Sequence, residues 1–129
     1  MSKKNNLLLV DDDPDFVEAT KLILEKGGYE VTVAYDGNEG FEKVKEQKPD
    51  VIVLDVMMPN KDGYTLCAEL KKDSEYKSIP ILLLTAVASH ISETKYTPRM
   101  GMETEAEDYL DKPAEPKEIL NRVNNLLGN

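Results

Sequence analysis

The sequence predicts an α/β fold, a parallel β-sheet with helices on both faces. Short apolar runs (Leu7 to Val10, Val51 to Leu54, Ile79 to Leu84) have the continuous hydrophobicity of strands buried on both sides. Segments of helical period alternate with them, which calls for right-handed crossovers between parallel strands. In such an open sheet, ligands bind beyond the carboxyl ends of the strands. Two of the runs end there on acids, Asp11-Asp12-Asp13 and Asp55.

Leu7 to Val10 reads as the first strand. Asp13 then suits a helix N-cap and Pro14 the first helical position. Phe16, Ala19, Thr20, Ile23 and Leu24 recur at helical spacing until Gly27-Gly28 stops the helix. Glu30 to Ala34 reads as the second strand. Gly40, Phe41 and Val44 mark a weaker second helix before Pro49. Val51 to Leu54 is the third strand, and Tyr64 to Asp73 the third helix, with Leu66, Cys67 and Leu70 on one side. Ile79 to Leu84 is the fourth strand, and Asp108 to Leu110 a weak fifth. The last helix runs from about Glu115 to Leu127, with Ile119, Leu120, Val123 and Leu127 facing inward. Between Ala88 and Glu107, Pro98 and Gly101 interrupt any helical period, and Ile91, Tyr96, Met100 and Met102 fit no single repeat. This stretch is expected to form a short or displaced helix followed by an extended, mobile loop.

A chain of 129 residues amounts to a single domain, with its core from about residue 6 to 127. The net charge of −9 argues against direct nucleic-acid binding, which needs a basic face. Proteins are the expected partners. The start, Met1 to Asn6, is polar, and the apolar run after it is too short for a signal peptide or a membrane span, so no membrane partner is expected. The lone Cys67 cannot form an internal disulfide; it fits a reducing cytoplasm and a small core position.

Polar groups stand at four strand ends: Asp11-Asp12, Asp55, Thr85 and Lys112. Two bare carboxylates about 4 Å apart repel by roughly 4 kcal/mol at an effective dielectric of 20. The cluster therefore asks for a cation, and hard oxygen ligands suit Mg²⁺. A carboxylate can also act as a nucleophile toward a phosphoryl group. Mg²⁺ and Lys112 could then neutralise the phosphoryl oxygens, and the Thr85 hydroxyl could donate to one of them. Other candidates read as structural. Asp13 is a cap, and Asp111 a solvated neighbour of Lys112. Met57 and Met58 are packing groups. His90 lacks a companion at metal-ligand spacing, and Gly27-Gly28 lacks the Lys-Ser/Thr pair of a phosphate loop.

Four segments, in this order, span nearly the whole chain: Leu8-Leu9-Val10-Asp11-Asp12-Asp13-Pro14, Val53 to Pro59 with Asp62-Gly63-Tyr64, Leu84-Thr85-Ala86, and Tyr109-Leu110-Asp111-Lys112-Pro113. Together they resemble a two-component response-regulator receiver domain of the stand-alone, chemotaxis-regulator-like kind. The resemblance implies a flavodoxin-like, doubly wound five-stranded parallel sheet of order 2-1-3-4-5, with five helices, here with an irregular fourth. It implies Asp55 as phosphoacceptor, served by a sensor histidine kinase or a histidine phosphotransfer protein. Asp12, Asp55 and the backbone carbonyl of Met57 would bind Mg²⁺ directly, with Asp11 acting mainly through a metal-bound water. Thr85 and Tyr109 would form the switch, Lys112 would pair with the phosphoryl oxygens, and Lys112-Pro113 would be a cis peptide.

The resemblance further implies a cytoplasmic signalling module, not an enzyme, that catalyses only its own phosphorylation and dephosphorylation. It would act on an unknown downstream protein and allow a phosphorylation-dependent dimer. Met57 and Val87 flank the path of the hydrolytic water in the family; neither can orient it, which implies slow autodephosphorylation. The chain departs from the common pattern in its long Thr85-to-Lys112 segment and in Glu105-Ala106-Glu107 before the fifth strand. As it ends after the last helix, no output domain is expected. A haloacid-dehalogenase-type hydrolase is a poorer match, because Met57 stands where its acid/base Asp belongs. So is a flavodoxin-like FMN binder, because Asp11-Asp12-Asp13 would repel its phosphate.

Overall fold

A computed structural model describes residues 4–58, 61–85 and 106–129. Its strands are β1 (Asn5–Val10), β2 (Tyr29–Ala34), β3 (Val51–Asp55), β4 (Ile81–Thr85) and β5 (Asp108–Asp111). All pair in parallel, in the order β2-β1-β3-β4-β5. The helices among the described residues are α1 (Pro14–Lys26), α2 (Gly37–Glu46), α3 (Gly63–Lys72) and α4 (Pro116–Leu127). They number four rather than the five expected. The irregular helix and loop expected at Ala88 to Glu107 lie outside the described residues, except for Ala106 and Glu107; Val87 and His90 lie outside them too.

Period-two alternation divides the strand side chains between two cores. Leu7, Leu9, Val51, Val53, Leu82 and Leu84 pack with Val17 and Leu24 of α1 and with Ile119 and Val123 of α4. Leu8, Val10, Ile52, Leu54, Ile81 and Leu83 pack on the other face with Val44 of α2 and with Leu66, Cys67 and Leu70 of α3. Both faces of β1, β3 and β4 are thus covered, which is why their runs carry no polar interruption. Each fully buried leucine contributes roughly 1.5–3 kcal/mol. The edge strand β2 leaves Glu30 and Thr32 exposed, and β5 is only half-buried.

Several boundaries and part of one helix face depart from the sequence reading: β1 begins at Asn5 rather than Leu7, β3 and β5 each run one residue further, and α3 lies one residue earlier. β2 begins at Tyr29, and β4 at Ile81 rather than Ile79. Ile79 instead closes a turn, donating to the Tyr76 carbonyl at 3.0 Å. The inward face of α1 is Val17, Thr20 and Leu24, with Ala19 exposed. Thr20 and Leu24 keep the expected phase; Val17, three residues before Thr20, takes the remaining buried place, while Ala19, one residue before it, lies about 100° away around the helix.

Three helices leave the carboxyl edge of the sheet through an aspartate cap. Asp13 accepts from the N–H groups of Asp15 and Phe16 at 3.0 and 3.4 Å. Asp36 accepts from Glu39 and Asp62 from Thr65, both at 2.8 Å. Each cap is worth about 1 kcal/mol. These acids satisfy the free N–H groups of the helix starts, and Asp11, Asp12 and Asp55 remain for the site.

Candidate functional site

β1 and β3 pair from Leu7↔Val51 to Val10↔Leu54, so the residues that follow these pairs reach the same edge together. These residues are Asp11, no part of which is exposed, and Asp55, which is 2 % exposed. Asp12, next in the chain, is exposed. One carboxylate oxygen from each of Asp11, Asp12 and Asp55 lies within 4.8 Å of the others. The cis Lys112-Pro113 peptide follows β5. The Lys112 ammonium lies 2.9 Å from Asp11 Oδ2 and 3.4 Å from Asp55 Oδ1. The same ammonium sits 4.7 Å from the centre of the Phe16 ring.

The electrostatics follow from burial. Burial, reinforced by the nearby Asp11 charge, pushes the Asp55 carboxyl from 3.8 up to about 6, against the opposing pull of Lys112 and of the Met57 backbone N–H. Burial works against the Lys112 charge too, but the hydrogen bond to Asp11 and the field of Asp55 prevail and hold the ammonium above its usual range. The other oxygen of Asp11 accepts from the Asp13 N–H at 3.0 Å. One ammonium therefore faces three carboxylates. The donors are all oxygen, and an ionised Asp55 is costly without more positive charge. Both observations fit a hard divalent cation such as Mg²⁺.

Thr85 lies one residue beyond the Asp55↔Leu84 pair, at the end of β4, and is 1 % exposed. Its hydroxyl donates to Asp111 Oδ1 at 3.0 Å. Tyr109 is half-buried and packs against the core on the α3 side of the sheet; burial raises its phenol above the ordinary range. Met57 is 41 % exposed at the mouth of the site.

The structure thus gathers Asp11, Asp12, Asp55 and Lys112 into one cluster, with Thr85 at the adjoining strand end. Asp13 stands apart as a cap. Two residues take parts that the sequence did not assign them. Phe16 is half-buried against the α1 side of the core and also carries Lys112 on its ring face. Asp111 is exposed, as expected, but it is more than a solvated neighbour of Lys112, because it accepts the Thr85 hydrogen bond. Replacing Asp12 with Ala is expected to weaken Mg²⁺ binding at least tenfold. Asp13→Ala is expected to leave the affinity within about twofold while lowering stability by about 1 kcal/mol. Calorimetric titration with Mg²⁺ and thermal melts would check both, and equal affinity losses would contradict the division of labour.

Residues 7–124 match the family model of the response regulator receiver domain. Similar solved structures include a putative response regulator from Chloroflexus aurantiacus J-10-fl, 40 % identical, with a TM-score of 0.85 over 98 % of this chain and 100 % of that one. A chemotaxis response regulator of Vibrio cholerae is 31 % identical, with a TM-score of 0.85 over 96 % of this chain and 99 % of that one. The signal receiver domain of a signal transduction histidine kinase from Syntrophus aciditrophicus is 33 % identical, with a TM-score of 0.84 over 96 % of this chain and 90 % of that one.

Proposed function

The chain belongs to the response regulator receiver domain family of two-component signalling, and we propose that it is a phosphorylation switch whose phosphoacceptor is Asp55. The observation that carries this reading is the Asp11–Asp12–Asp55 cluster with Lys112 against it, at the carboxyl edge of the sheet.

An Asp55 carboxylate oxygen attacks the phosphorus of a phosphohistidine on a sensor histidine kinase or a histidine phosphotransfer protein. The N–P bond breaks, its electron pair stays on the imidazole, and an acyl phosphate forms on Asp55. Mg²⁺, held by Asp12, Asp55 and the Met57 backbone carbonyl, with Asp11 acting through a water, would neutralise charge on the phosphoryl oxygens. Lys112 is near enough to Asp55 to pair with one of those oxygens once its contact with the free carboxylate is lost. Thr85 donates to another, and Tyr109 responds to the movement of Thr85. The module turns over no separate substrate; it catalyses its own phosphorylation and dephosphorylation. Its output is a changed affinity for a downstream protein or for a second copy of itself, in the cytoplasm. No described helix is long and apolar enough to cross a membrane.

Acetyl phosphate tests the reading without a kinase. With Mg²⁺ the chain is expected to gain one base-labile phosphoryl group, seen by intact mass. In EDTA the gain should fall by more than tenfold. Equal labelling with and without Mg²⁺ would contradict the proposed chemistry.

A further inference from the structure

We propose that Asp111 is a competing acceptor that holds the Thr85 hydroxyl away from the phosphoryl site and so sets how readily the switch closes. The inference rests on the phosphoacceptor reading of Asp55 and deepens it.

The contact is a product of sheet register. β4 and β5 pair from Leu82↔Asp108 to Thr85↔Asp111. Alternation that sends Leu83 and Tyr109 to the α3 face sends Thr85 and Asp111 there as well. Directly opposed side chains of neighbouring strands are close enough to interact, and here Thr85 Oγ1 meets Asp111 Oδ1 at 3.0 Å. The pair is further fixed by the Lys112 N–H, which donates to the Thr85 carbonyl.

A threonine hydroxyl has one proton to give. While Asp111 accepts it, Thr85 cannot donate it to a phosphoryl oxygen on Asp55. Thr85 is almost wholly buried, so water competes poorly for that proton. Asp111 is exposed, so it loses little when the bond breaks and water takes the place of the hydroxyl. The restraint is therefore strong enough to bias Thr85 and weak enough to yield. Asp111 acts on the phosphoryl group only through Thr85, which makes it a positioning residue. Its neighbour Lys112 points to the Asp11–Asp55 side instead, so consecutive residues serve the restrained and the phosphorylated states.

Two readouts test this. In the unmodified protein, NMR three-bond couplings to the Thr85 methyl report its side-chain rotamer. One rotamer is expected in the unsubstituted chain and in Asp111→Asn, whose amide oxygen still accepts. Averaging is expected in Asp111→Ala. Beryllofluoride with Mg²⁺ then serves as a stable phosphoryl mimic. Asp111→Ala is expected to bind it about 3- to 10-fold more tightly than Asp111→Asn does, the worth of one neutral hydrogen bond. The comparison with Asn removes the effect of the lost negative charge. In a Thr85→Ala background the two Asp111 variants should bind equally, because there is no hydroxyl left to restrain. A single Thr85 rotamer in Asp111→Ala, equal tightening by Ala and Asn, or a difference that persists without Thr85 would each overturn the proposal. Failure of the unsubstituted chain to bind beryllofluoride would overturn the phosphoacceptor reading itself, and this role for Asp111 with it, whatever the rotamer result.

Discussion

Asp55→Asn is expected to take up no phosphoryl group from acetyl phosphate and yet to be more stable than the unsubstituted chain, by roughly 3 kcal/mol at pH 7 in EDTA. The gain follows from the carboxyl's raised value of about 6 against an ordinary 3.8. Between these values the folded state holds a proton that the unfolded state has lost. Stability therefore falls as pH rises from about 4 to about 6, and the full penalty remains above that window. Asparagine does not titrate and escapes the penalty. Its amide oxygen can still accept from the Met57 N–H, and the Asp11–Lys112 pair at 2.9 Å remains. Urea unfolding in EDTA should show the variant's advantage growing from near zero at pH 4 to its full size at pH 7. Saturating Mg²⁺ should narrow it by stabilising only the native acid cluster. An advantage independent of pH would mean that Asp55 is not held against its charge.

Gly63→Ala is expected to destabilise the fold by about 2–3 kcal/mol and to weaken Mg²⁺ binding together with it. A methyl group at Gly63 would meet backbone: the Asp55 carbonyl oxygen, the Val56 Cα at 2.7 Å and the Asp55 carbonyl carbon at 2.9 Å. Backbone in a central strand has nowhere to go, and the Gly63 N–H also ties to the Val56 carbonyl at 3.2 Å. Relief of the clash displaces the strand end that carries the Asp55 carboxylate. Gly27→Ala is the control, because there the methyl meets only the flexible end of Leu120 and the backbone is helical. Urea midpoints followed by circular dichroism, with Mg²⁺ titrations of both variants, would check this. A Gly63→Ala chain as stable as Gly27→Ala would show that the close approach of α3 to β3 is not tight.

The parts legible in the sequence are those set by local pattern. The apolar runs of β1, β3 and β4 announce strands covered on both faces, and an acid directly after each of the first two runs must come to the same edge once those strands pair. Asp13-Pro14 announces a helix start by its own chemistry. The family motifs place Lys112 and Thr85 at the other two strand ends. What escaped depends on register and phase. Asp111 looks like any charged residue beside a lysine until β5 is aligned on β4 and brings it against Thr85. Phe16 reads as a core residue and does pack on the core, but nothing local says that its ring also supports the ammonium of Lys112, distant in the chain. Val17, not Ala19, joins Thr20 and Leu24 on the buried face of α1, because three-residue spacing keeps a side chain on one face and one-residue spacing turns it by about 100°.

The position of the phosphoryl group defines the switch most directly. After incubation with acetyl phosphate and Mg²⁺, borohydride reduction converts an aspartyl phosphate to homoserine, which tandem mass spectrometry can place in the sequence. Homoserine at position 55 and nowhere else, with none formed in EDTA, is the predicted result. Homoserine at Asp11 or Asp12, or a phosphoryl group retained on His90, would contradict it.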